Sequence, residues 1–256
     1  NSLRFNNTLT AVTITAEQVK ILLEHAVAAV APGVTPGQFA QIGGLRFSYD
    51  PAGTAQVVAA GTGGVANITP GSRVVNAVLT DAAGNVVDVI VQDGVVVGDP
   101  GRLIRVVTLS FLVEDGTNND GRGGDNYPFP TFQNQLGVGV FNRVDLQENA
   151  APLGEQRALE RFFEQFPAGG PAFSQADTPA SEDGRIQNLT VRADTVLTGA
   201  LAPVVNPLVA TVTGQTPVAV TVVRAAANGA EVTAFQVTGI VGGSVAVVLP
   251  SGGTVP

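Results

Sequence analysis

The chain of 256 residues contains no cysteine, no methionine and no tryptophan, and it has a single histidine. Without cysteine it can form neither a disulfide framework nor a thiolate metal site. No hydrophobic stretch reaches membrane-spanning length, because glycine, proline, aspartate or asparagine interrupts each run of valine and alanine. These absences exclude the disulfide-stapled and zinc-thiolate classes of protein and predict no membrane-spanning helix.

Positive charge is also scarce. The chain has 13 lysines and arginines against 21 aspartates and glutamates, a net charge of −8, and Lys20 is its only lysine. A lysine-poor, acidic surface offers no general face for a phosphate backbone, which argues against nucleic-acid binding.

Apolar residues are plentiful by comparison. They make up 45% of the chain against 13% charged residues, enough for a sizeable core. The length suits one large domain, or one domain and a small module. Because the chain lacks an initiating methionine, shows no signal peptide and opens into a strand-like segment, we expect it to be a piece of a longer polypeptide.

The hydrophobic pattern predicts both strands and helices. Thr15 and Gln18 form a capping box, which predicts that a helix begins there. A second helix is predicted over 155–167, where Leu159, Phe162, Phe163 and Phe166 share one face. Strand-like segments occupy 5–15, 39–51, 73–97, 102–112 and the end of 176–199. This mixture predicts an α+β fold, with mixed sheets and packed helices over residues 1–199.

Two segments differ from this pattern. The segment 102–112 is rich in branched residues and is predicted to be a central strand. Residues 200–256 alternate valine and threonine between Gly/Asn turns, which predicts a small all-β module of antiparallel strands. Because about fifty residues is small for an independent sandwich, we interpret this module as incomplete.

Six segments carry a family resemblance. They are "LRFNNTL" (3–9), "LLEHAV" (22–27), "GQFAQIGGLRFSYDP" (37–51), "GSRVVNAVL" (71–79), "RVVTLSFL" (105–112) and "GGDNYPF" (123–129). In this order they resemble the C-terminal, substrate-binding domain of the secreted bacterial 5'-nucleotidase family, over about residues 1–130. The segment "ADTPASEDGRIQNL" (176–189) resembles the tail that follows this domain in large multidomain bacterial members.

The resemblance implies a nucleoside-binding site. By position in the motifs, Phe5 and Phe111 would sandwich the base, Asp125 would bind the ribose hydroxyls, and Asn7 would contact base or ribose. Stacking on an aromatic ring contributes about 1–3 kcal/mol per base. An ionised aspartate accepts two hydrogen bonds and suits a vicinal diol, and adjacent glycines allow a close backbone approach to the sugar.

The chain also departs from the family pattern. Residues 113–122 form a much longer connection between "SFL" and "GGD" than the family has, so the loop either returns Asp125 to the site or displaces it. The family's substrate-binding Arg and Asn residues that precede "LRF" are not in this chain. The resemblance therefore implies an incomplete pocket.

Each candidate residue has a simpler interpretation. Phe5 and Phe111 could be core residues, and Asp125 could cap a turn. The loop 115–125 carries oxygen donors of the kind that calcium prefers, but an EF-hand register puts Gly116 where a carboxylate belongs, so a solvated loop is favoured. His25 is interpreted as a structural, hydrogen-bonded residue, because no motif places a nucleophile beside it.

Two functions from different classes follow. In the first, the chain recognises a nucleoside or nucleotide for a secreted or cell-surface nucleotidase. The resemblance implies that the catalytic residues and a divalent metal pair belong to a separate N-terminal metallophosphoesterase domain. A single histidine argues against such a centre in this chain, and no cofactor is expected here. In the second, the chain is a processed fragment that assembles with copies of itself through β edges into a surface layer or filament.

Overall fold

A computed structural model describes residues 3, 5–34, 36–116, 118–165, 179–192, 195–197, 247–248 and 254–255. The helices are α1 (Ala16–Val27), α2 (Ser110–Val113), α3 (Phe129–Phe141) and α4 (Glu155–Phe163), with a 3-10 turn over Gly124–Asn126. The strands are β1 (Leu9–Thr15), β2 (Leu45–Tyr49), β3 (Val57–Thr62), β4 (Val65–Thr69), β5 (Val74–Thr80), β6 (Val86–Gln92), β7 (Val95–Val96), β8 (Leu103–Leu109), β9 (Val144–Asp145), β10 (Gln147–Glu148), β11 (Ala151–Pro152), β12 (Ile186–Asn188), β13 (Val247–Val248) and β14 (Thr254–Val255).

The capping box fixes the start of α1. The amide of Gln18 donates to Oγ1 of Thr15 (3.1 Å), and the amide of Thr15 donates to Oε1 of Gln18 (3.0 Å). Two otherwise unpaired amides are thereby satisfied, so the predicted helix begins where β1 ends. Its apolar face, which includes Val19, Leu23 and Val27, is buried.

Two sheets and α1 enclose the main core. The strand order is β8-β1-β9 in one sheet and β12-β2-β5-β6-β7 in the other, in which β12 runs parallel to β2 and the remaining neighbours are antiparallel. The core is formed by residues of β1, α1, β2, β5, β6 and α3, among them Ile14, Phe47, Ile90 and Phe132. The predicted α+β class is thus confirmed for the described part of the chain.

Strand β8 corrects one prediction. It lies at the edge of its sheet in the described structure, and not at the centre. Its residues alternate between exposed and half-buried, with Val107 57% exposed, because only one face of this sheet covers the core. A strand rich in branched residues need not be buried on both faces.

The predicted second helix lies mostly within the described residues, whereas the predicted all-β module lies mostly outside them. The second predicted helix is α4, and residue 166 of its expected apolar face lies outside the described residues. Apart from the paired two-residue strands β13 and β14, the all-β module over 200–256 also lies outside them, and the boundary at residue 199 stays a prediction. Helix α3 was not predicted.

Candidate functional site

The start of β1 and the end of β8 meet at one end of the small sheet. The amide of Ser110 donates to the carbonyl of Thr8 (2.8 Å), and the two hydroxyl oxygens are 2.6 Å apart. Phe111 directly follows Ser110, while Phe5 and Asn7 closely precede Thr8. The pairing of these strands therefore brings three of the four predicted site residues to the same end of the sheet.

The two aromatic rings of the site are not core residues. Phe5 is 68% exposed and Phe111 is 47% exposed. Leaving two phenylalanine rings in water forgoes the free energy that burial would provide. The core interpretation of these rings is therefore wrong, and both rings have surface available for contact with a ligand.

The paired glycines bring the "GGD" segment onto α2. A Cβ added to Gly124 would collide with the ring of Phe111, and one added to Gly123 would collide with the carbonyl of Leu112. Glycine fits both positions because the backbone of this segment lies against the helix. The sequence had indicated close approach to a sugar, whereas the structure shows close approach to the aromatic ring.

The described part of the long connection between α2 and Gly123 has a defined course. It docks on the β3–β4 hairpin, where the amides of Gly61 and Gly64 donate to the carbonyls of Asp120 and Asn119 (3.0 and 2.9 Å). Its return is held by Thr131, whose hydroxyl donates to the carbonyl of Gly121 (2.8 Å). The additional residues are accommodated on the hairpin, so the loop returns Gly124 and Asp125 to α2.

The same loop gives no support to a calcium site. The carboxylate of Asp120 accepts hydrogen bonds from the amide and the guanidinium of Arg122, and this pairing lowers the pKa of Asp120. In the described residues, no group of three or more His, Cys, Asp or Glu side chains is placed to hold a metal ion. The carboxylate of Asp120 therefore serves the folding of the loop.

Asp125 presents its carboxylate to solvent. The residue adopts a left-handed conformation (φ 51°, ψ 26°) within the 3-10 turn, and its side chain is exposed. Its carboxylate forms no hydrogen bond or ion pair with any described residue. The turn is closed instead by backbone bonds, from Asn126 to Gly123 and from Tyr127 to Gly124 (both 3.1 Å). The Asp125 side chain therefore caps nothing in the described structure and is available to a ligand.

His25 holds this turn from the other side. Its Nε2 donates to the carbonyl of Asp125 (2.8 Å), and its ring meets the ring of Tyr127 edge-on at 4.7 Å. The hydroxyl of Tyr127 donates to the carbonyl of Gln38 (2.7 Å), and Nε2 of Gln38 donates to the carbonyl of His25 (2.7 Å). These contacts form a closed circuit between α1 and the turn, which is the structural role expected for His25.

Burial governs the ionisation of this circuit. Desolvation lowers the pKa of His25, although the bond to the Asp125 carbonyl and the charge of Asp125 oppose the shift. Desolvation also raises the pKa of Tyr127 strongly. Both side chains are therefore neutral near pH 7, and the neutral imidazole carries its proton on Nε2, since a carbonyl can only accept.

Asn7 is engaged by a residue that the motifs did not indicate. Its amide and its Nδ2 both lie 3.2 Å from Oε1 of Glu155, and the amide of Glu155 donates to the carbonyl of Asn7 (2.9 Å). Glu155 is the first residue of α4, where a carboxylate is favoured by the helix dipole. The first residue of α4 therefore orients the side chain of Asn7.

A protein-family model matches the first part of the chain. Residues 1–120 match the model described as "5'-nucleotidase, C-terminal domain". This part of the chain is therefore similar to the C-terminal domain of 5'-nucleotidases. The matched residues include Phe5, Asn7 and Phe111 and end before Asp125.

Solved structures show more distant likeness. The chain is similar to a 5'-nucleotidase precursor from Thermus thermophilus, with 21% identity over 73% of this chain and 26% of that one, and a TM-score of 0.43. It is also similar to an NAD nucleotidase (NadN) from Haemophilus influenzae, with 17% identity over 64% and 22% of the respective chains and a TM-score of 0.38. The chain thus spans about a quarter of the length of each.

No curated protein matches the chain. None of the helices in the described residues is both long enough and apolar enough to cross a bilayer.

Proposed function

We propose that this chain acts as a 5'-nucleotidase C-terminal domain and binds the nucleoside half of a substrate for a nucleotidase-type phosphohydrolase. Phe5 and Phe111 would stack on the base, and Asp125 would accept hydrogen bonds from the ribose hydroxyls. The observation that carries the proposal is the contact of Gly124 with the exposed ring of Phe111. Asp125 directly follows Gly124, so its unpaired, exposed carboxylate lies close to that ring.

The chemistry of these groups suits a nucleoside. A base offers an apolar face that gains about 1–3 kcal/mol from stacking on an aromatic side chain. A vicinal diol presents two donors, and an ionised carboxylate accepts both with the added strength of a charged acceptor. Asn7, oriented by Glu155, would contribute a polar edge to the same site.

In this proposal the chain binds substrate and does not hydrolyse it. The two-metal chemistry would reside in a separate N-terminal metallophosphoesterase domain, and the described residues would hold the nucleoside so that its phosphate reaches those metals. We further propose that the whole protein works outside the cell or at its surface, as the resemblance to secreted nucleotidases implies. Detection of the chain in a culture supernatant or surface fraction would test the location.

Titration of the chain with adenosine tests the binding function. We expect saturable binding by calorimetry, with Phe111→Ala weakening it by about tenfold or more, as loss of one stacking partner predicts. Phe162→Ala is the matched control, because it removes a similarly exposed ring from α4. Absence of binding at millimolar adenosine would refute the proposal, and so would an equal effect of the two variants.

A second candidate function, self-association, is favoured by the outer edge of β8. The hydrogen-bonded pair of Thr8 and Ser110 sets the register with β1 and directs the backbone groups of alternate β8 residues away from β1. These residues are Leu103, Arg105, Val107 and Leu109, and no described strand lies on the side of β8 that faces away from β1.

Arg105, the one charged residue of β8, does not place its charge where it would block pairing at this edge. Natural edge strands block unwanted pairing with charged side chains. The guanidinium of Arg105, however, turns back across β1 to the hydroxyl of Thr13 (2.9 Å) and the carbonyl of Asn142 (2.6 Å). The backbone edge is thereby left open to a further strand.

We propose that a second copy of the chain would occupy this edge. Antiparallel pairing about Val106 would set Leu103 opposite the partner's Leu109 and Arg105 opposite the partner's Val107, so the exposed backbone groups match those of a second copy. Light scattering over a range of concentrations should show dimers, and Val107→Lys should abolish them by placing a charge at the interface. A monomer at all concentrations would contradict this candidate.

A further inference from the structure

The only histidine of the chain lies in α1, one hundred positions before its partner in the "GGD" turn. His25 is 5% exposed, so its ring is not available to stack on or bind a solvent-borne ligand. Its contact with the site is the hydrogen bond from Nε2 to the carbonyl of Asp125, whose carboxylate is exposed. Any influence of His25 on a ligand therefore passes through Asp125.

The Asp125 turn needs support from outside. Asp125 and Asn126 both have positive φ angles (51° and 59°), which cost residues with a Cβ about 1–3 kcal/mol each. The backbone bonds that close the turn join residues within the segment itself. His25 and the hydroxyl of Tyr127 connect the turn to α1 and to Gln38, and so oppose its relaxation.

We propose that His25 is a positioning residue that directs the Asp125 carboxylate towards the ribose of a bound nucleoside, and thereby sets the preference for nucleoside over free base. This inference rests on the proposed function, in which Asp125 contacts the ribose. It adds that the direction of the carboxylate is set from α1, by a side chain that does not touch the ligand.

The backbone that carries the stacking ring is held independently of His25. Phe111 belongs to α2, which is fixed to β1 by the bonds between Thr8 and Ser110. Loss of the Nε2 donor would free the carbonyl of Asp125 and allow the peptide to reorient, while Phe111 keeps its place. The sugar contact should therefore weaken while the base contact persists.

The test compares two ligands and matched variants of the full chain. His25→Phe keeps a ring against Tyr127 and removes the donor, and His25→Asn removes the ring and is too short to reach the carbonyl. His25→Gln keeps an N–H donor at the distance of Nε2. Adenosine and adenine are titrated onto each protein, with circular dichroism melts to confirm folding.

The expected result is a selective loss. The wild type should bind adenosine more tightly than adenine, and His25→Phe and His25→Asn should lose about tenfold in adenosine affinity with adenine affinity unchanged. His25→Gln should retain the wild-type ratio. The ratio of the two affinities is the decisive quantity, since a general loss of folding would lower both together.

Results that contradict the inference can be distinguished from results that contradict the proposed function. If folded His25→Phe or His25→Asn keeps the wild-type preference for adenosine, or loses both ligands equally, the inference is wrong while the proposed function stands. If the wild type binds adenosine no more tightly than adenine, Asp125 does not hold the ribose and the inference falls with that assignment. If the wild type binds neither ligand, the proposed function itself fails.

Discussion

The backbone of Gly124 lies against the ring of Phe111 so closely that no Cβ fits between them. This contact links the aromatic ring that follows β8 to the turn beyond the long loop, which carries the candidate carboxylate. It also makes the two adjacent glycines unequal, because Gly124 meets a side chain and Gly123 meets backbone.

The first prediction concerns this inequality. Gly124→Ala should fold with a loss of about 1 kcal/mol in the free energy of unfolding, because the half-exposed ring of Phe111 can move aside, but it should weaken adenosine binding markedly. Gly123→Ala should destabilise the fold by several times as much, since the carbonyl of Leu112 cannot move without α2. Urea denaturation and calorimetric titration of both variants would check this, and equal stabilities would contradict it.

The second prediction concerns a buried carboxylate in α1. Glu24 is 1% exposed, pairs with Lys20 (3.1 Å) and accepts hydrogen bonds from the amides of Arg73 and Val74 (3.0 and 3.2 Å). Glu24→Ala should lower the free energy of unfolding by about 3–5 kcal/mol, because two amides and an ammonium group lose their partner. Lys20→Ala is the control and should cost far less, since the carboxylate keeps both amide donors. Similar losses in the two denaturation curves would count against this account.

The third prediction concerns pH. Burial lowers the pKa of His25 in the folded chain below about 6.5, its value in an unfolded chain. Between these two values the unfolded state binds more protons, so stability should fall as pH drops from 7 through about 6.5, and it should level off below the folded pKa.

The same histidine provides its own control. His25 is the only histidine, so no other imidazole contributes between pH 7 and pH 5. Denaturation curves of His25→Gln should lack the slope over this range. A wild-type stability that rises on acidification would show that the hydrogen bond to Asp125 outweighs burial.

The fourth prediction concerns metal. Nη2 of Arg122 lies 2.8 Å from Oδ2 of Asp120, so this carboxylate already has a partner. Removal of divalent cations should therefore leave the melting temperature of the chain unchanged. Thermal melts in EDTA and in millimolar calcium would check this. Arg122→Ala offers the contrast, since it frees Asp120, and a calcium-dependent rise in melting temperature in the wild type would refute the expectation.

Local signals and motifs predicted much of the fold. The capping box at Thr15 and Gln18 depends on residues three positions apart, and it appears as expected. Helix α3 was missed because Pro128 and Pro130 stand at its start and Gly137, with φ 73°, breaks its regular geometry. Its buried residues, Phe129 and Phe132, are fixed by packing on the core, which the local pattern does not reveal.

The sequence likewise predicted some features of the candidate site and missed others. The positions of Phe5, Phe111 and Asp125 followed from a family resemblance, whereas the bonds from Glu155 to Asn7 and from His25 to Asp125 join residues about one hundred or more positions apart. No spacing in the sequence marks such pairs. The sequence shows the two glycines, but the collision with α2 that explains them exists only in the folded chain.

The docking of the long loop on the β3–β4 hairpin makes two stretches of the chain mutually dependent. Trimming the loop alone would leave the amides of Gly61 and Gly64 without their hydrogen-bond acceptors. Deleting the hairpin alone would leave the carbonyls of Asn119 and Asp120 without their donors. Shorter versions of this domain should therefore be viable only when both stretches are shortened together. For protein engineering, the hairpin and the loop are therefore one unit, to be removed or kept together.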